Sequence, residues 1–89
     1  MKIKKDYVLR QVADTWVVLP LGDAAVDFSG MLTLNESGAM LWKILEQGAD
    51  RDELTAALLG EYEVSREMAL TDVDAFLNKL LRAGCLEEL

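Results

Sequence analysis

The sequence predicts an α+β domain in which a small antiparallel sheet is followed by three helices. Two observations carry the prediction: β-forming residues dominate up to Leu34, and the apolar spacing becomes helical from Asn35 onward. The length of 89 residues and the 52% hydrophobic content suit one domain with its own core. No linker-like or repeated stretch divides the chain, so we expect residues 1–89 to form a single domain.

Three strands are expected in the first 34 residues. Residues 7–12 mix polar and apolar β-formers, and residues 16–19 are a continuous apolar run that suits a strand covered on both faces. These two strands should form a hairpin. Because proline cannot donate to a ladder, Pro20 should close the second strand or sit where no partner needs its N–H. After a long connection over residues 22–30, residues 31–34 form the third strand, with Leu32 and Leu34 on one face and Met31 and Thr33 on the other.

The first helix starts at a strand-to-helix junction. Asn35 is a good N-cap, since its side-chain oxygen can accept an N–H of the first turn, and the helix should run to about Gln47. Gly38 falls in the first turn, where glycine costs roughly 1 kcal/mol relative to alanine. This cost indicates either a close approach there, from another segment of backbone, or a tight strand-to-helix junction with no role beyond folding.

Asp50 and Glu53 form a capping box that opens the second helix, and Ser65 caps the third, which should run to Ala83.

The third helix carries two apolar stripes. On the third helix, an ordinary core face is formed by Ala69, Val73, Phe76 and Leu80. A second stripe, about 100° round the helix, is formed by Leu70, Leu77 and Leu81. Either the domain covers the helix on both sides, or the second stripe is a groove wall for a partner.

The composition argues against nucleic-acid and membrane partners. The net charge of −7 disfavours DNA, RNA and anionic lipid, all of which reward positive surfaces. Residues 50–78 hold eight acids and two arginines, which serve either solubility or a basic partner. No run approaches the 18 or so apolar residues of a membrane span, and no apolar segment follows the basic start. We expect a cytoplasmic protein.

Residues for catalysis or metal binding are scarce. The chain has no histidine, one cysteine and no phosphate-binding glycine pattern. A single cysteine cannot form an internal disulfide or a thiolate metal site, so we interpret Cys85 as a small buried hydrophobe. We expect neither catalysis nor a cofactor.

Residues 31–42 resemble a known family. The motif is Leu34-Asn35-x-x-Gly38-Ala39 with Trp42 downstream, followed by two acidic helices. It is similar to the PqqD family, which comprises the pyrroloquinoline quinone biosynthesis D proteins and their relatives, the recognition elements of ribosomally made, modified peptides (RiPPs). The resemblance extends from the first predicted strand to residue 86. The connection over residues 22–30 is longer than in the shortest members, which suggests a distinct subfamily.

The resemblance implies a winged-helix-like domain that binds the leader of a precursor peptide without catalysing a reaction. In the family, the leader adds as a strand to the edge of the third strand, against the third helix, and is presented to a modifying enzyme, often a radical SAM protein. Carried onto this sequence, the strand edge is Gly30, Met31, Leu32, Thr33 and Leu34, and the groove wall is Leu70, Val73, Asp74, Leu77 and Leu81. We hypothesise that Asp74, at the margin of the groove, contacts a basic residue of the leader.

Two other functions remain open at this stage. A winged-helix DNA-binding regulator would need a recognition helix rich in Lys and Arg. The second helix offers only Arg51, and the third offers Arg66, Lys79 and Arg82 among acids. The strand edge or the apolar groove could also serve homodimerisation. The sequence does not name the precursor peptide, the modifying enzyme or the product.

Overall fold

The computed structural model describes residues 1–22 and 32–87. In chain order the elements are β1 (Lys2–Ile3), β2 (Tyr7–Val12), β3 (Thr15–Pro20), β4 (Leu32–Leu34), α1 (Glu36–Gln47), α2 (Arg51–Glu61), α3 (Arg66–Ala83) and β5 (Leu86–Glu87). The predicted α+β class is confirmed, with the three predicted strands as β2, β3 and β4 and the three helices after them. Of the predicted strand edge, Gly30 and Met31 lie outside the described residues.

The main sheet is antiparallel and has the order β2-β3-β4. β2 and β3 form the predicted hairpin, and Ala13 makes the tight reversal with a left-handed φ of 56°. β4 pairs with β3 through Val17↔Thr33, flanked by Trp16↔Leu34 and Val18↔Leu32. Within the described residues no strand pairs with the other side of β4, so that side is an open edge.

A second, two-stranded sheet joins the two ends of the described chain. β1 pairs antiparallel with β5 through Lys2↔Glu87 and Ile3↔Leu86. The side chains of Ile3 and Leu86 are both buried in the core, and the N–H of Lys4 donates to the carbonyl of Cys85 at 2.9 Å. The sheet of β1 and β5 was not predicted from the sequence.

The predicted helix caps are confirmed. The Asn35 side chain accepts from the N–H of Gly38 at 2.8 Å, and the Ser65 hydroxyl accepts from the N–H of Met68 at 3.1 Å. Asp50 and Glu53 form both hydrogen bonds of the capping box, at 2.8 and 3.2 Å. These caps fix where each helix begins, and thereby place α1 directly after β4.

Gly38 is closely approached, but by side chains rather than by the expected backbone segment. A Cβ at this position would lie 3.1 Å from Oδ1 of Asn35 and 3.3 Å from Cβ of Leu34. Both neighbours belong to the strand-to-helix junction itself. Glycine therefore lets the cap of α1 close over the end of β4.

One core lies between the main sheet and the helices. Its fully buried large side chains include Trp42, Leu45, Leu54, Leu80, Val18 and Val73. Within the described residues, the indole Nε1 of Trp42 has no hydrogen-bond partner, although the side chain is completely buried. Cys85 is buried in the same core, as expected. The predicted core stripe of α3 is confirmed, since Ala69, Val73, Phe76 and Leu80 are all buried.

Candidate functional site

A cavity of about 650 Å³ lies beside the open edge of β4. We call it the edge cavity. It is bounded by the tip of the β2–β3 hairpin, the end of β4, the first turns of α1, a residue of α2 and one flank of α3. Its lining residues are Asp14, Thr15, Thr33, Leu34, Asn35, Ser37, Gly38, Leu41, Leu58, Asp72, Ala75, Phe76 and Lys79.

The edge of β4 presents its backbone to this cavity at Thr33. The two-residue loop of the β2–β3 hairpin closes on the Val12↔Thr15 pair, so by alternation the backbone groups of Val17 face β2 and those of Thr33, opposite Val17, face away from β3. The ammonium Nζ of Lys79, on α3, donates to the carbonyl oxygen of Thr33 at 2.8 Å. The Thr33 carbonyl therefore faces the open edge. In an antiparallel pair, a residue turns its N–H and its C=O to the same side, so the N–H of Thr33 faces the open edge as well. Thr33 thus offers one donor and one acceptor to an added strand.

The described part of the predicted strand edge has two different faces. Leu34 is buried, and Leu32 is half-buried against the core, whereas Thr33 is exposed. The two leucines hold β4 on the domain, and Thr33 is left to face a partner. This agrees with the alternation predicted from the sequence.

The residues of α3 predicted as a groove wall do not lie along the edge cavity. Val73 is 0% exposed and Leu77 is 9% exposed, so both belong to the core. Leu70 and Leu81 are nine and two residues from Lys79 in sequence. At roughly 100° per residue, each lies about 160–180° round the helix from Lys79. The second apolar stripe is therefore divided between the core and the flank of α3 away from β4.

The side chains that α3 does turn toward the edge cavity are Asp72, Ala75, Phe76 and Lys79. Their spacing of i, i+3, i+4 and i+7 is the ordinary spacing of one helix face. This face was not predicted as part of the site. It contains two charged residues and only one large apolar residue, which is the composition expected of a solvent-exposed flank. The sequence signal that could have identified this face is a charged helix flank that borders a predicted edge strand.

Asp74 is engaged by the chain itself. Its two carboxylate oxygens accept from Nε and Nη2 of Arg51, at 2.6 and 2.8 Å. The hydrogen bond from Arg51 lowers the pKa of Asp74 and, reciprocally, raises the pKa of Arg51. Asp74 faces α2 and is absent from the lining of the edge cavity.

The edge cavity has an apolar floor and a polar rim. Leu34, Leu41, Leu58 and Phe76 are buried residues at its base, while Asp14, Asp72 and Lys79 are exposed. Such a site can receive an extended segment through backbone hydrogen bonds and hold a side chain on the apolar floor.

The described residues offer little for metal binding, nucleophilic attack or a membrane span. Within residues 1–22 and 32–87, no three His, Cys, Asp or Glu side chains lie together as metal ligands would. Burial raises the pKa of the Cys85 thiol to about 11, which makes it a poor nucleophile. None of the helices in these ranges combines the length and apolar character needed to cross a membrane.

A second cavity, of about 690 Å³, lies along the outer face of α1. It is lined by Trp16, Glu36, Ala39, Met40, Lys43, Ile44, Gln47, Gly48, Glu61 and Tyr62. The ammonium of Lys43 lies 4.5 Å from the centre of the Trp16 ring, a cation–π contact. This cavity has no strand edge along it and shares no lining residue with the edge cavity.

Comparison with known proteins identifies the family. The family model described as coenzyme PQQ synthesis protein D (PqqD) matches residues 15–86, which include β3, β4 and all three helices. The chain belongs to the PqqD family. All residues of the edge cavity except Asp14 lie within the matched range.

Two solved structures are similar to this PqqD-family chain over nearly its whole length. The first, TbiB1 in complex with the TbiA(beta) leader peptide, superposes with a TM-score of 0.78 and 29% identity, covering 100% of this chain and 98% of that chain. The second, lasso peptide synthetase B1 complexed with the leader peptide, has a TM-score of 0.76 and 23% identity, covering 98% and 96%. At that identity the second similarity speaks for the fold. No protein among the curated sequences matches the chain.

Proposed function

We propose that this PqqD-family protein binds the leader of a ribosomally synthesised precursor peptide and presents it to a modifying enzyme. The leader adds as a strand to the open edge of β4 and lies between β4 and α3. The observation that carries the proposal is the pair of Thr33 backbone groups that face the edge cavity. The solved complex of TbiB1, 29% identical, with a leader peptide supports the same class of ligand.

The physical basis is strand addition to an unpaired edge. An added strand gains main-chain hydrogen bonds whatever its sequence, while side-chain pockets beside the edge select particular peptides. Here, Thr33 supplies the hydrogen-bonding groups and the apolar floor around Leu41 and Phe76 supplies the pocket. A strand edge without such a floor would bind peptides indiscriminately.

The structure leads us to a revised set of site residues. From β4 we keep Leu32, Thr33 and Leu34, preceded by Gly30 and Met31. On α3 we propose Asp72, Ala75, Phe76 and Lys79, in place of the wall formed by Leu70, Val73, Asp74, Leu77 and Leu81. The change follows from the lining of the edge cavity, which includes none of the five residues of that wall, and from the bond between Asp74 and Arg51.

The protein acts as a non-catalytic adaptor of the cytoplasm in this proposal. Its partner is an enzyme that modifies the precursor peptide, such as a radical SAM protein or a peptide synthetase. Burial raises the pKa of the Cys85 thiol to about 11, which makes it a poor nucleophile and supports the non-catalytic role. A homodimer through β4 would compete for the same edge as the leader.

An NMR titration tests the proposal directly. The labelled protein is titrated with the leader segment of the precursor peptide encoded beside its gene. We expect the largest shift changes in β4 and in the α3 segment from Asp72 to Lys79. Changes confined to the second cavity, or no change with any peptide encoded nearby, would contradict the proposal.

A substitution at Thr33 tests the strand addition itself. Thr33→Pro removes the N–H that faces the open edge but no N–H that faces β3, so the sheet should form normally. Thr33→Val keeps the N–H and has a similar shape, and serves as the matched control. We expect the proline variant to bind the leader about five- to 150-fold more weakly, since an unpaired partner group costs about 1–3 kcal/mol. Equal affinities of two folded variants would contradict strand addition at this edge.

A second pair of variants tests the location of the cavity. Ala75→Arg places a long side chain on the α3 flank that lines the edge cavity. Ala56→Arg makes the same change on the exposed face of α2, outside the cavity. Only the first should weaken leader binding, and both should unfold at similar denaturant concentrations because both positions are exposed.

A further inference from the structure

We propose that Lys79 is a displaceable cap on the β4 edge, which an incoming strand must remove before it can pair. The inference rests on the proposed function, because it concerns how the same edge is kept available. The Lys79 ammonium occupies the carbonyl oxygen of Thr33, the one acceptor that this residue offers to an added strand. An added strand needs this oxygen for its own N–H, so the Lys79 ammonium and the peptide compete for the same acceptor.

The contact is not imposed by packing. Thr33 and Lys79 are both exposed and lie 46 residues apart in sequence. One turn before Lys79, the same helix face carries Ala75, whose side chain is small, and Phe76, which is buried, so neither one holds the lysine side chain in place. A long, exposed side chain of this kind can leave the carbonyl without disturbing the core.

The Lys79 ammonium binds a carbonyl although carboxylates line the same cavity. Asp14 and Asp72 line the same cavity, yet Lys79 forms an ion pair with neither of them in the described residues. It donates instead to a backbone carbonyl of the strand edge. An ammonium bound to a neutral carbonyl in water is held weakly enough for a peptide N–H to replace it.

Two consequences follow for the free protein and for its ligand. Exposed strand edges pair with one another, and lysine on an edge is a common means of preventing this. Lys79 should therefore keep two copies of the chain from pairing through β4. It should also lower the affinity for the leader, because each binding event must first break its hydrogen bond.

The test uses two variants that remove the same charge. Lys79→Met keeps most of the side chain but has no donor. Lys5→Met removes a positive charge from an exposed turn outside the edge cavity. In the free protein, the carbonyl ¹³C shift of Thr33 should change in the first variant only. An unchanged Thr33 carbonyl in Lys79→Met would overturn the cap.

Displacement is tested by calorimetric titration with the leader of the precursor encoded beside the gene. The Lys79→Met variant should bind roughly two- to tenfold more tightly than the unsubstituted protein, since a net hydrogen bond no longer has to be broken. Lys5→Met should bind as the unsubstituted protein does. Equal or weaker binding by Lys79→Met would overturn the proposal, because the lysine would then contribute to the complex.

Failure of the proposed function gives a different result. If no variant binds the leader, the function is wrong, and the cap is judged by self-association, measured by light scattering across a concentration series. Lys79→Met should then form dimers that Lys5→Met does not form. If both variants stay equally monomeric, the cap has no role in guarding the edge and the proposal fails.

Discussion

Arg51 and Asp74 link the first turn of α2 to the middle of α3 through two hydrogen bonds, Nε to Oδ1 at 2.6 Å and Nη2 to Oδ2 at 2.8 Å. Each side chain remains about half exposed, at 49%. The pair lies on the flank of α3 away from Lys79, and so away from the edge cavity. Asp74 thus helps to orient α2 against α3.

This pair predicts a specific acid sensitivity. The pKa of Asp74 is lowered by the hydrogen bond from Arg51, so its contribution to stability is present above the ordinary pKa of 3.8 and is lost as pH falls through the lower, folded-state value. Asp74→Asn should therefore shrink the difference between the unfolding free energies at neutral pH and at pH below 3.8. Urea unfolding measures it, with Asp72→Asn as the control on the other flank. Identical pH profiles for the two variants would contradict this role.

Leu77 and Leu81 should respond differently to truncation, although both belong to the same apolar stripe. Leu77 is 9% exposed and Leu81 is 43% exposed. Leu77→Ala should lower the unfolding free energy by about 2–5 kcal/mol, because it leaves a cavity in the core. Leu81→Ala should change it by about 0.5 kcal/mol or little more. Denaturant unfolding of both variants compares them, and equal losses would show that the stripe is buried as a whole.

Two glycines in helices should respond to alanine with opposite signs. Gly60→Ala should raise the unfolding free energy by about 0.5–1 kcal/mol, because α2 gains helix propensity and no atom lies within 4 Å of the new Cβ. Gly38→Ala should lower it, since the new Cβ would press on the capping oxygen of Asn35 and on buried Leu34. Thermal unfolding measures both. A higher unfolding free energy for Gly38→Ala would contradict this prediction and would show that Asn35 and Leu34 move aside easily.

Cys85 should be almost inert in the folded protein. Burial raises the pKa of its thiol from 9.0 to about 11, so at mildly alkaline pH the thiolate fraction falls about a hundredfold. Alkylation by iodoacetamide should be correspondingly slow, and should become fast when denaturant unfolds the chain. Native alkylation as fast as that of the unfolded chain would show that the thiol is accessible.

The same pKa shift has a consequence for stability at high pH. The unfolded chain loses the thiol proton first, so the stabilisation is intact below pH 9.0 and is lost as pH rises toward about 11. The unfolding free energy should fall by up to about 3 kcal/mol across this range. Cys85→Ala should remove this part of the pH dependence.

The sequence predicted the elements whose signals are local. Asn35, Asp50 and Ser65 were recognisable as caps because each cap is formed by residues within one helical turn. The hairpin and β4 were predictable from β-forming runs bounded by turn residues. By contrast, β1 and β5 are two residues each, too short for any periodic pattern, and they become strands only by pairing with each other.

The site was harder to predict than the fold. A helical pattern shows which residues of α3 share a face, but not which flank comes to lie beside β4. That depends on how α3 docks, which Arg51 and the core leucines of α2 determine from far away in sequence. The second apolar stripe was therefore taken as most of the groove wall, whereas Ala75 and Lys79 are among the α3 residues that line the edge cavity.

The pairing of β1 with β5 bears on the order in which the domain assembles. β1 and β5 are separated by nearly the whole chain, so bringing them together incurs the largest loop-closure entropy of any strand pairing in the described ranges. We expect the hairpin and the helices to dock first and this small sheet to close last. The amide of Lys4, which donates to the carbonyl of Cys85, should accordingly gain protection late in refolding, and should be among the first to exchange with solvent in the native protein.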